Sequence, residues 1–125
     1  MRTQYFSMIC IFVLAGCWFN SVDDQARKLG SRTFTPEAWA NASQLERAAM
    51  TASFLDQHDT SAFTRKQMEA LLGAPTGYYD YNSNAAYVVG PDSVRSIYGK
   101  GYLLVFEADK DDGRIDNVFF LSEVE

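Results

Sequence analysis

The stretch TRKQMEALLGAPTGYYDYNSNAAYVVG, residues 64–90, holds the point where the chain changes from helical to extended chemistry. Thr64, Arg65, Lys66 and Gln67 have the spacing of a capping box, in which a threonine oxygen accepts from the third helical N–H and a glutamine reaches back to the cap. Met68, Leu71 and Leu72 fall on one face, Gly73 suits a left-handed C-terminal residue, and Pro75 prevents continuation. This predicts a helix too short to persist without packing. Beyond it, Gly77 to Tyr81 and Ala86 to Val89 are β-prone segments separated by the turn-like Asn82-Ser83-Asn84, and Gly90-Pro91-Asp92-Ser93 ends the second.

Toward the C-terminus, Gly99-Lys100-Gly101 precedes an apolar run from Tyr102 to Phe106, and Arg114 to Leu121 is the last such run. Between them Asp109-Lys110-Asp111-Asp112-Gly113 carries an Asp-Gly pair, which favours the turn between antiparallel strands. Toward the N-terminus, Thr35 can cap a helix whose first position is Pro36, with Glu37 at the positive dipole end. Ala38, Ala42, Leu45, Ala49 and Ala52 recur at helical spacing, with Phe54 and Leu55 closing one amphipathic helix near Gln57 or His58. Two N-terminal helices followed by three or four strands predict an α+β fold, the helices packed on one face of an antiparallel sheet.

The chain has 125 residues, 47% of them hydrophobic, enough for one modest core. Eleven Lys and Arg face 16 Asp and Glu, a formal charge of −5, so no general attraction to nucleic acid or to an anionic lipid surface is expected. The two cysteines are Cys10 and Cys17, and the only histidine is His58. Thiolate zinc sites and His-His ligation are thereby excluded from the folded part, and no metal or cofactor is expected.

Arg2 precedes a short, mostly apolar run from Tyr5 to Leu14, about half the length that crosses a bilayer, as in a secretory signal peptide. The run ends in Leu14-Ala15-Gly16-Cys17, which resembles the lipobox of bacterial lipoproteins. The competing reading, an ordinary signal peptide cut at Ala15-Gly16, makes Cys17 a bystander. The lipobox resemblance implies that residues 1–16 are a removed leader, and that Cys17 is the acylated membrane anchor. Trp18, where aspartate commonly marks inner-membrane retention, implies an outer-membrane location with the domain facing the periplasm. The polar composition after Cys17 predicts a flexible tether over residues 17–34, its sixteen or so coil residues spanning roughly 20–24 Å, and a folded domain over 35–125.

Three further groups of residues invite chemistry. Asp109, Asp111, Asp112 and Asp116 suggest calcium, but an EF-hand-like loop needs glycine at its sixth position and a bidentate glutamate at its twelfth, where Gly113 stands one residue early and Phe120 replaces the acid. A solvated hairpin tip is expected instead. His58, among Asp56, Gln57 and Asp59, fits a helix C-terminus, where its charge interacts well with the dipole. Trp39, Arg47 and Met50 look like helix packing. Six of the seven tyrosines, Tyr78, Tyr79, Tyr81, Tyr87, Tyr98 and Tyr102, crowd into the strand region. Tyrosine is a good strand former and a rigid contact residue, so packing and a partner-binding sheet face are both open readings. Tyr79 and Tyr81 are expected on one strand face and Tyr78 on the other.

The capped helix Thr64-x-x-Gln67-Met68-x-x-Leu71-Leu72-Gly73-x-Pro75, with Leu104-x-Phe106 and Asp112-Gly113-Arg114-Ile115, resembles the SmpA/OmlA (BamE-like) outer-membrane lipoproteins over about Phe63 to Leu121. The resemblance implies a small non-enzymatic accessory of outer-membrane assembly or integrity. Ala62-Phe63 replaces that family's usual Gly-Met. The expectation is a lipid-anchored binding or scaffold module that contacts envelope proteins through Tyr78, Tyr79, Tyr81, Tyr87 and Tyr102. The alternative is a periplasmic inhibitor-like binder of a hydrolase. A third reading, a small hydrolase, needs carboxylates such as Asp80 and Asp92 to converge in a cleft.

Overall fold

The computed structural model describes residues 21–97 and 99–125, without the side chains of residues 81–83. Four helices precede the sheet: α1 (Val22–Lys28), α2 (Pro36–Ala40), α3 (Gln44–Gln57) and α4 (Arg65–Leu72), with a 3-10 turn at Thr60–Ala62. Six strands follow: β1 (Gly77–Tyr79), β2 (Tyr81–Val89), β3 (Arg95–Ser96), β4 (Gly99–Lys100), β5 (Tyr102–Ala108) and β6 (Ile115–Leu121). β1, β2, β5 and β6 form one antiparallel sheet in that order, while β3 and β4 make a small separate hairpin. The α+β arrangement expected from the sequence is therefore the fold.

The helix starts are written locally. Ser21 accepts from Asp24 N at 3.1 Å, Thr35 from Ala38 N at 3.0 Å, and both Ser43–Glu46 and Thr64–Gln67 form reciprocal capping boxes. The Thr64 box is the one the sequence predicts. The Ser43 box divides the expected single helix in two: Ser43 has extended backbone, so its hydroxyl and the Glu46 carboxylate satisfy the first N–H groups of a new helix.

A second correction concerns the expected tether. Residues 22–28 are α1, with Gln25 and Ala26 buried, and the Gln25 side chain accepts from Val124 N at 2.8 Å. Past α1, Gly30 packs on Ala49 of α3, Arg32 N donates to Ala49 O at 2.9 Å, and Phe34 is in the core. The polar residues of this segment are the outer face of a docked helix, and the domain begins by Ser21. Residues 1–16 and Cys17 lie outside the described residues.

The main core lies between the helices and the face of the sheet carrying Ala85, Tyr87, Val89, Leu104, Phe106 and Phe120. Its centre is a circuit of edge-on aromatic pairs, Phe34–Trp39, Trp39–Tyr87, Tyr87–Phe106, Phe106–Phe54 and Phe54–Phe34, with centroids 5.0 to 6.2 Å apart, each pair contributing about 0.5–1.5 kcal/mol beyond its buried area. His58 ends α3 against Phe54 and Phe63, the helix-end position its neighbours predict. The Asp109–Gly113 hairpin is a turn whose Asp109 carboxylate accepts from Asp111 N and Asp112 N. Gly113 O accepts from Arg65 N at 2.7 Å, which pins the tip to the start of α4.

Candidate protein-binding surface

The register of the sheet puts two apolar rows on the face away from the helices. Ala86 pairs with Val105, and Val105 with Phe119; Val88 pairs with Leu103, and Leu103 with Leu121. Ala86, Val88, Leu103 and Val105 make a second buried cluster, separate from the main core, with Tyr79, Phe119 and Leu121 packed against it. Among the described residues this cluster is built from strands alone.

Tyr79 and Phe119 meet across this face. They stand on β1 and β6, the two edges of the sheet, which a flat four-stranded sheet would hold about 14 Å apart. Their ring centroids are 5.7 Å apart at 82°. The rings lean toward each other across β2 and β5, and the row between them contains Gly77 and Ala86, whose small size leaves room. The outer layer of this face is thus Tyr79, Phe119 and Leu121, each half-buried. The next row is polar, with Asn117 Nδ2 donating to Glu107 Oε1 at 3.2 Å.

The five predicted tyrosines do not form one surface. Tyr87 is wholly buried in the main core, and its hydroxyl donates to Gly73 O at 2.6 Å. Burial pushes its phenol pKa well above the ordinary range, and it is not available to a partner. Tyr102 is half-buried on the same side, edge-on to Phe120 at 6.1 Å. Tyr78 is 40% exposed beside α4, with the Arg65 guanidinium 5.3 Å from its ring. Tyr79 alone joins the second face among those with described side chains. Tyr79 and Tyr81 belong to different strands, because the chain reverses at Asp80 (φ 68°) and pairs the two tyrosines. Residues 82–84, expected as a turn, lie within β2 and carry a register shift. Tyr98 and Cys17 lie outside the described residues.

Sequence reasoning missed that Leu103 and Val105 form a second buried cluster under Phe119 and Leu121. The available signal was the unbroken apolar run Leu103 to Phe106, because a strand covered on one face alternates and one covered on both does not.

Two other groups bear on chemistry. Asp80 and Asp92 flank opposite ends of β2, about 30 Å apart along an extended strand, so this pair does not converge on a substrate. Arg47 sits over the Trp39 ring at 4.9 Å and donates from Nε to Trp39 O at 3.0 Å. Desolvation lowers its pKa. A cleft of about 270 Å³ between α2 and the end of α4 includes Arg47, where a cation also complements the negative end of the α4 dipole. No helix of the described residues is long and apolar enough to cross a membrane. No family model, curated protein or solved structure matches the chain.

Proposed function

We propose that this chain is a lipid-anchored binding module of the bacterial envelope, held to the outer membrane through Cys17 and contacting an envelope protein with the second face of its sheet. The observation that carries the reading is the half-buried outer layer of Tyr79, Phe119 and Leu121 on the side away from the helices. Aromatic side chains flanked by a polar row match the composition of protein interfaces, where a desolvated apolar centre is ringed by hydrogen-bonding groups. The lipobox at the end of a short apolar leader supports the anchor. The role is recognition, with no reaction assigned.

The test is crosslinking and capture of the full-length lipoprotein from its own envelope. Wild type is expected to retrieve a defined envelope protein, and the Tyr79→Ala and Leu121→Ala variants to lose it while keeping a cooperative thermal transition. Capture of the same protein by both variants, or of none by wild type, refutes the assignment. Retrieval of a periplasmic hydrolase whose activity falls on binding would instead identify an inhibitor.

A further inference from the structure

The cap of α1 at Ser21 constrains how an anchored form would sit. Ser21 caps α1, and α1 is fastened to the body through buried Ala26 and the Gln25–Val124 hydrogen bond. Between Cys17 and Ser21 stand only Trp18, Phe19 and Asn20. Four peptide steps reach at most about 14 Å when fully extended, whereas a sixteen-residue coil would have spanned roughly 20–24 Å on average. Val22 emerges beside β6 and the 3-10 turn, sharing with Thr60, Ser61, Ile115 and Asp116 a cleft of about 200 Å³.

We infer that the end of the domain formed by the start of α1, the 3-10 turn and the first residues of β6 rests against the lipid headgroups. The inference depends on acylation of Cys17, as in the function proposed above. Trp18 and Phe19 favour this placement, since large aromatic side chains partition to the bilayer interface. Charge at this end is mixed: Asp59 and Asp116 are exposed, Arg114 is exposed and donates from Nη1 to Ser61 O at 3.3 Å, and Asp24 is paired with Arg27 at 2.6 Å. The acyl chains, with the two aromatic side chains at the interface, therefore hold the body down without a large electrostatic contribution. The opposite end carries the β3–β4 hairpin, with Ile97 66% exposed, separated from the anchored end by the length of β5, about 20 Å. For a domain of this size, roughly 35 Å across, a partner on the second sheet face is met close to the membrane surface.

The experiment uses the full-length lipoprotein, its acylation read from the intact mass, in phosphatidylcholine vesicles containing a headgroup-quencher lipid. A fluorophore is placed at Asp116→Cys or at Ile97→Cys, the native Cys17 thiol being blocked by its acyl group. Quenching is expected to be several-fold stronger at position 116 than at 97, and the difference should vanish when twelve Gly/Ser residues are inserted between Asn20 and Ser21. Equal quenching at both positions, or a difference that survives the insertion, overturns the contact while leaving the anchor intact. A protein without the acyl mass overturns the anchor itself, and the contact with it.

Discussion

Gly30 is where the docking of α1 is most sharply testable. Its φ is +140°, and a Cβ there would lie 2.7 Å from the Ala49 Cβ and 2.9 Å from the Ala49 Cα. Neither neighbour is the end of a flexible side chain: one is a methyl group, the other the backbone of α3. Gly30→Ala therefore incurs a conformational cost of about 1–2 kcal/mol for positive φ and an overpacking cost of about 1–3 kcal/mol. Gly99 separates the two, because its φ is +119° but nothing lies within 4 Å of the point a methyl group would occupy. Gly99→Ala should incur the first cost alone. At about 4–8 °C per kcal/mol for a domain near 100 residues, Gly30→Ala should melt roughly 5–20 °C below Gly99→Ala. The assay is thermal unfolding of a Ser21–Glu125 fragment followed by circular dichroism. Amide exchange reports whether Gln25 to Leu29 open locally before the rest. A Gly30→Ala variant that melts with wild type, or no lower than Gly99→Ala, would mean that α1 is not fastened to α3 and that this segment is the tether its composition suggests.

Tyr87→Phe removes a buried hydroxyl from Gly73 O and should lower stability by about 1–2 kcal/mol in urea unfolding, the carbonyl losing its partner; an unchanged midpoint would deny that this bond secures the end of α4. Glu46 gives a pH signature. Hydrogen bonds from the Ser43 backbone N–H and side chain, then from Arg32, hold its pKa below the ordinary glutamate value. A carboxyl depressed in the folded state contributes stability above its unfolded pKa and loses it as pH falls through the folded one. The melting advantage of wild type over Glu46→Gln should therefore shrink as pH falls from about 6 to about 3, and an advantage that grows on acidification would contradict the sign.

The parts of this fold legible in the sequence are those whose cause is local. The Thr64–Gln67 box, Pro36 after Thr35, Gly73 before Pro75 and the Asp-Gly hairpin each act within a few residues, and the structure uses all of them. Local signals are also present where expectation and structure differ. Ser43 and Glu46 have the same three-residue spacing as Thr64 and Gln67, but the alanine periodicity on both sides favours one continuous helix. Asp80 reverses the chain where Asn82-Ser83-Asn84 has the better turn composition, because β2 runs through those residues and Asn84 Oδ1 accepts from Ala108 N of β5 at 3.0 Å. The tyrosines marked the region but not the surface: strand propensity placed them, and the register then sent Tyr87 inward and Tyr79 outward.

The succession from helical to extended chemistry, the α+β class, the short apolar run ending at Cys17 and the scarcity of metal-ligating side chains can all be read from the chain alone. Tertiary structure decided that a polar segment is a docked helix and that residues from both sheet edges meet over the second face. The reason is range. Caps and turns are set by neighbours three or four residues away, whereas Gly30 is matched to Ala49, Gln25 to Val124 and Tyr79 to Phe119 only when the chain folds back on itself.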